Sequence, residues 1–370
     1  MKILHVINNL GMGGAEKLMS TLLPELKQQG FEPELICLNG EQEQAYLEPL
    51  QRAGIPVHVL SAHRSPYNPL HIRGLMAAMA RIRPDLVHVH LFPAFYWVSL
   101  AFRLCGYKCP LLMTEHDTSN RRMRSAWWKP VDRFMYGPVK ELICISDGVR
   151  EAVQRYNPRL PARTIYNGVP LEQFTRIAPT CRNTALDQLI RRIRENPGHR
   201  IVVSVGRLVE KKDQETMLRA MAKLPPHMHL ILAGEGDERP ALEMLRAELA
   251  LEGRVFLPGN QSDIPYLLQH ADYGIITSVI EGFGLVVVEM MAAGLPVVYS
   301  RIPGLTEVAG HEALAAAPGD AEGFAAILQR LDSDPGFRTE TTRACREKAE
   351  QFSIDAMARG YAAVYRGLHP

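Results

Sequence analysis

Ile3-Leu-His-Val-Ile-Asn-Asn-Leu-Gly-Met-Gly-Gly-Ala-Glu16 opens the chain and sets its architecture. Residues 3–7 are an apolar run of strand length. Gly11, Gly13 and Gly14 then make a loop. Residues 15–29 follow, with Leu18, Leu22, Leu23 and Leu26 on one helical face. Strand, glycine loop and helix in this order predict the first step of a parallel sheet covered by helices. The glycines let backbone come close to a ligand, beside a helix N-terminus that favours anions. A dinucleotide fingerprint would need a third glycine where Glu16 stands, so a nicotinamide cofactor is disfavoured. A tight turn with no ligand is the alternative at this loop.

The same step recurs along the chain. Strand-like runs are expected at 3–7, 34–38, 86–90, 111–114, 142–145 and 164–166, then at 201–205, 229–233, 255–257, 274–277 and 296–299. Two series predict two doubly wound α/β domains. Residues 171–200 separate them: the pattern is weak there, and Pro179, Asn183 and the run Asn196-Pro-Gly-His199 supply loop signals. The expected domains are 1–175 and 176–353. A last helix over 354–368 is free, on pattern alone, to join either. In such sheets ligands bind at the carboxyl ends of strands, so candidate residues belong in strand-to-helix loops.

Bulk properties narrow the function. The chain has 370 residues, 46 % hydrophobic and 22 % charged, an ordinary soluble composition for two domains. A net charge of +2 gives no general pull toward nucleic acid. Six cysteines are scattered, mostly in apolar runs, as buried thiols in a reducing compartment would be. The N-terminal run is too short for a secretory signal, and no window reaches 18 uninterrupted apolar residues. A cytoplasmic protein is expected, with room for contact at a membrane surface.

The densest chemistry lies in Glu281-Gly-Phe-Gly-Leu-Val-Val-Val-Glu289. A two-glycine loop feeds a helix over 285–293 that is apolar on every side except at Glu289. Such a helix is buried, and a buried carboxylate needs donors. A sugar diol would supply them; a structural Arg or backbone amide would do so equally. Glu281 lies just before the helix N-terminus, where anions such as phosphate are favoured. Arg207 and Lys212 follow the strand at 201–205, and two cations at a strand end suit a diphosphate. A solvated surface pair is the plainer alternative. His116 follows the strand at 111–114 and is placed to donate to a reacting sugar or polarise an acceptor, though a lone His is more often structural. His88 and His90 share one strand face and show no third metal ligand, so they are expected to be structural or site-lining. Residues 121–133 are the most basic and aromatic stretch. They suit anionic lipid head groups, or else a solvated helix with its Trp residues turned inward.

Taken together these residues resemble the retaining glycosyltransferases of family 4, which have the GT-B fold. The resemblance rests on Gly13-Gly14-Ala15-Glu16, Glu115-His116, Asn167-Gly168-Val169, Gly206-Arg207 with Lys212, and Glu281 through Glu289, in that order over nearly the whole chain. It implies two Rossmann-like domains facing across a cleft, with the last helix crossing back to the first domain. It implies a nucleotide-sugar donor, UDP being the expected nucleotide, held mainly by the second domain. Glu289 would bind ribose hydroxyls, and Arg207 and Lys212 the diphosphate. Glu281 and the amides of Gly282, Phe283, Gly284 and Leu285 would meet donor sugar and phosphate. His116 would meet the donor sugar, and Gly13 and Gly14 would lie near the phosphates. The acceptor would be a glycan or a polyprenyl-diphosphate-linked sugar, and the activity a hexosyl transfer in surface-glycan synthesis. No metal or other cofactor is expected, because the cations and a helix N-terminus can stabilise the leaving diphosphate. The Asp332-Ser-Asp334 pair sits in a late loop and is expected to be solvated. A nucleotide-sugar epimerase or phosphorylase of the same architecture, or a non-catalytic binding subunit, are the competing functions.

Overall fold

The computed structural model describes residues 1–11, 13–40, 46–62, 65–116, 127–176 and 181–368. The chain divides into two compact units, each around its own parallel sheet. Unit 1 is Met1–Gly168 with Ile354–Pro370; unit 2 is Val169–Ser353. The division falls between Gly168 and Val169, ahead of the expected boundary at 175/176 and of the loop signals over 171–200.

Unit 1 contains β1 (Lys2–Ile7), β2 (Glu32–Asn39), β3 (Val57–Ser61), β4 (Leu86–His90), β5 (Leu111–Glu115), β6 (Val139–Cys144) and β7 (Ala162–Thr164), in the order β3-β2-β1-β4-β5-β6-β7. Every residue of β4 is buried, as a central strand covered on both faces requires. Strand β3 was not anticipated. It is an edge strand whose residues are half-buried or exposed, so its hydrophobic signal is diluted. Strand β6 starts at Val139, earlier than expected, because Lys140 and Glu141 hide its first turn of pairing; a register shift against β5 falls at Leu111 and Leu112. The helix Gly14–Gln28 buries Leu18, Leu22, Leu23 and Leu26 in one core with Met357, Tyr361 and Tyr365 of the last helix, Ile354–Leu368. Each large side chain of that core contributes roughly 1.5–3 kcal/mol by leaving water, so the last helix is part of the unit 1 core.

Unit 2 contains β8 (Arg200–Val205), β9 (Met228–Ala233), β10 (Val255–Gly259), β11 (Tyr273–Ile276), β12 (Val297–Ser300) and β13 (Ala315–Ala316), in the order β10-β9-β8-β11-β12-β13. The two-residue β13 is too short to leave a pattern. Residues 171–200 are not simply a linker. They include the helix Thr184–Arg194, which buries Leu186, Ile190 and Ile193 and is capped by Asn183, whose Oδ1 accepts from the amides of Ala185 (3.0 Å) and Leu186 (3.2 Å). The asparagine read as a loop signal is a helix start. Among the described residues no helix is long and apolar enough to cross a membrane.

In both sheets the strand order reverses beside the first strand: between β1 and β4, and between β8 and β11. The carboxyl ends of strands at such a reversal leave a crevice where ligands bind. The loops after β1, β4, β8 and β11 are therefore the ones the topology singles out.

Candidate active site

In unit 2 the loops after β8 and β11 are tied together. Thr277, 1 % exposed, donates its hydroxyl to the carbonyls of Asp213 (2.7 Å) and Lys212 (3.1 Å), and the Val279 amide donates to the Lys211 carbonyl (3.0 Å). On this clamped backbone Lys212 Nζ donates to Glu281 Oε1. Ser278 Oγ donates to the same oxygen at 3.2 Å. The two side chains are only 23 % and 14 % exposed, so the pair is partly shielded from water. Arg207 is exposed and, among the described residues, pairs with no carboxylate. Its carbonyl accepts from Gln214 Nε2 at 2.9 Å, which holds the loop but leaves the guanidinium available. Lys212 and Glu281, to which the sequence assigned separate roles, are thus direct partners.

Glu281 leads into the helix Leu285–Ala292. Its N-cap, Gly284, has φ 85°, a left-handed conformation that favours glycine, and no side chain caps the first turn. A Cβ there would also sit 2.8 Å from Leu305 Cδ2. Gly304 was missed from sequence: a Cβ on it would overlap the Glu281 carbonyl oxygen, so only glycine lets the helix Pro303–Ala309 approach the loop this closely. The Phe283 side chain is 2 % exposed and packs edge-on against Phe352, 5.3 Å between centroids. It is a packing anchor, and its ring is not presented to solvent. Glu289 is 1 % exposed among buried Val287, Val288, Met290 and Met291, as expected for a helix apolar on all sides.

In unit 1 Gly13 and Gly14 stand at the start of the helix Gly14–Gln28, beyond β1, with no side-chain cap on the helix. The preceding Asn8 bridges to the loop after β4: its Oδ1 accepts from the Ala94 amide (3.1 Å) and its Nδ2 donates to the Phe92 carbonyl (2.9 Å). His116 follows β5. Its amide donates to Glu115 Oε1 at 3.2 Å, and burial pushes its imidazole down to about 4, so it is neutral near pH 7.

His116 ends a row of imidazoles. It lies 5.8 Å from the His90 ring, which stacks 5.4 Å from His5. The third histidine beside His88 and His90, invisible as a motif, is His5: β1 and β4 place it directly opposite His88. Ligand atoms of His5, His88 and His90 all lie within 4.8 Å of one another. Their hydrogen bonds point to a structural network. His88 Nδ1 pairs with Tyr365 OH (2.7 Å), His88 Nε2 with Thr114 Oγ1 (2.7 Å), and His5 Nδ1 with His90 Nε2 (3.1 Å). Burial lowers His5 to about 3 and holds His88 and His90 well below the ordinary imidazole range.

Of the basic aromatic stretch at 121–133, residues 121–126 lie outside the described residues. Trp127 is 90 % exposed, and Trp128, Val131 and Phe134 are exposed beside it, so this edge turns its apolar groups outward. Asp132 points inward instead, accepting from Tyr96 and, at 2.8 Å, from Tyr156. Arg103 lies over the Phe134 ring at 3.9 Å.

Two family models match the chain: Glycosyltransferase Family 4 over residues 12–173 and Glycosyl transferases group 1 over residues 187–352. The chain belongs to the group 1, family 4 glycosyltransferases. This glycosyltransferase is 27 % identical to the lipopolysaccharide core biosynthesis glycosyltransferase LpsD of Rhizobium meliloti, over 100 % of this chain and 99 % of that one. It is 27 % identical, over 79 % of this chain and 78 % of the other, to a Campylobacter jejuni enzyme named N-acetylgalactosamine-N,N'-diacetylbacillosaminyl-diphospho-undecaprenol 4-alpha-N-acetylgalactosaminyltransferase. Its fold matches Anabaena HepE, solved in complex with UDP-glucose, with a TM-score of 0.84 at 22 % identity, over 99 % of this chain and 100 % of HepE. The architecture is therefore GT-B, two Rossmann-like units on parallel sheets.

Proposed function

We propose that this glycosyltransferase moves a hexosyl group from a UDP-sugar to a glycan or polyprenyl-diphosphate-linked acceptor, with retention at the anomeric carbon, in surface-polysaccharide or lipopolysaccharide synthesis. The observation that carries the proposal is the set of groups at the carboxyl ends of β8 and β11: exposed Arg207, the Lys212–Glu281 pair and the uncapped helix start at Gly284. As the glycosidic bond breaks, charge develops on the leaving diphosphate. Two cations and a helix N-terminus are suited to stabilise it. Turnover without a divalent cation follows from that supply of positive charge. Glu289, a carboxylate buried among apolar side chains, is the group we assign to the ribose hydroxyls, since an ionised carboxylate only accepts. His116, neutral near pH 7, is suited to donate or accept one hydrogen bond and not to act as a charged acid.

The relatives support the pathway and the acceptor class. LpsD is named for lipopolysaccharide core biosynthesis, and the Campylobacter enzyme for a diphospho-undecaprenol acceptor. The exposed Trp127, Trp128 and Phe134 with Arg133 nearby support contact with an anionic membrane surface, which we place on the cytoplasmic face. The test is incubation with UDP- and GDP-sugars and a polyprenyl-diphosphate-linked acceptor in EDTA. Glycosylated lipid from a UDP-sugar is the expected product. Activity lost in EDTA and restored by Mg²⁺ would overturn metal independence. Donor binding without turnover would make the chain a binding subunit.

A further inference from the structure

We infer that the Lys212–Glu281 pair lets the enzyme tell its intact donor from the spent nucleoside diphosphate. The inference rests on the proposal that a nucleotide sugar binds between the loops after β8 and β11. Lys212 is not waiting as a free cation: its Nζ already donates to Glu281 Oε1. The backbones behind both residues are clamped by Thr277 and by the bond from Val279 to Lys211, so the pair is held together by the fold and not by chance side-chain contact. A diphosphate that recruits Lys212 must draw it from this carboxylate. It also places its own negative charge near Glu281, in a site that is little exposed.

What happens next depends on the sugar. An ionised carboxylate only accepts hydrogen bonds, and Glu281 would be left with the Ser278 hydroxyl alone. Hydroxyls of an intact donor sugar supply the missing donors. A nucleoside diphosphate lacks that sugar, and its ribose hydroxyls are the ones assigned to Glu289, so Glu281 competes for Lys212 and opposes its binding. Arg207, which has no carboxylate partner among the described residues, binds phosphate in both states and gives no discrimination. After transfer the carboxylate loses the sugar and reclaims Lys212, which favours product release.

Calorimetry with UDP, UDP-glucose, GDP and GDP-mannose on the full chain tests this. Glu281→Gln keeps the shape and an acceptor for Ser278 but removes the charge. UDP should bind the variant roughly fivefold or more tightly than the wild type. UDP-glucose should gain less or lose affinity, so the preference for donor over product narrows. In a Lys212→Met background the gain from Glu281→Gln should shrink. Unchanged or weaker UDP binding to Glu281→Gln, with its melting temperature retained, would overturn the inference. A gain of the same size without Lys212 would also overturn it, assigning the effect to plain repulsion. Wild-type protein that binds none of the four nucleotides would remove the nucleotide-sugar proposal itself, and the inference with it.

Discussion

At Lys212 two demands meet: holding a phosphate and balancing Glu281. Replacing it with Ala removes a charge-assisted donor, which costs about 1.5 kcal/mol or more, so nucleoside diphosphate affinity should fall roughly tenfold. Calorimetry that finds unchanged affinity would remove the diphosphate role. Tyr365 is tied into the buried imidazole network. Its hydroxyl meets His88 Nδ1 at 2.7 Å with both side chains fully buried. Tyr365→Phe leaves that nitrogen without its partner, and unit 1 should lose about 1–3 kcal/mol in urea unfolding. An unchanged midpoint would mean the imidazole repairs the loss elsewhere. The pairing had no sequence signal, because a tyrosine in an amphipathic helix reads as core whether or not its hydroxyl is used.

Among the elements, the helix Trp128–Tyr136 and the helix Pro303–Ala309 are the most exposed to test. The first buries Met135 and Tyr136 while Trp128, Val131 and Phe134 remain exposed, next to Trp127. Because Trp127 is almost wholly exposed and adds little to the core, Trp127→Ser should leave the melting temperature nearly unchanged and reduce sedimentation with anionic liposomes. Equal sedimentation would end the membrane proposal. The alternative in which the Trp side chains turn inward fails for Trp127, whose exposure helical periodicity cannot foresee at a helix start. The second helix meets the active-site loop through Gly304, where any side chain would overlap the Glu281 carbonyl. Gly304→Val should displace that loop and cut turnover about tenfold or more, with a larger effect on turnover than on thermal stability. Full activity in this variant would show that the Glu281 loop tolerates displacement. Sequence could not single out Gly304, since its constraint is a neighbour met only in the fold.

For the whole molecule, the buried imidazoles predict an acid limit. His5 is lowered to about 3 and His116 to about 4, with His88 and His90 also lowered, all chiefly by burial. In the unfolded chain each returns to about 6.5. The unfolded state therefore binds more protons below that pH. The stability is present in full above pH 6.5 and is lost as pH falls toward 4 and 3, by up to about 1.4 kcal/mol per pH unit for each group. All three tryptophans, Trp97, Trp127 and Trp128, lie in unit 1, so their fluorescence in urea at pH 7.5 and 5.5 reports this unit alone. A midpoint independent of pH would refute the assignment. Much of the architecture was legible because it is written locally. Apolar runs and glycine loops recur at strand–helix spacing, and the motif residues lie in the loops that follow those strands. These features alone determined the parallel α/β class, the two-series organisation and the candidate residues from Gly13 to Glu289. The edge strand β3 and the brief β13 were not legible, because half-exposed residues or a length of two leave little pattern, whereas the apolar face Leu186, Ile190 and Ile193 of the helix Thr184–Arg194 is periodic but outweighed by the loop signals flanking it. Tertiary structure decided which strands are central, and so which loops flank each reversal of strand order. It also joined Lys212 to Glu281 across 69 residues of chain and His88 to Tyr365 across 277. Periodicity reports which side of an element is apolar; it carries no distance between side chains that only the assembled sheet and its helices bring together.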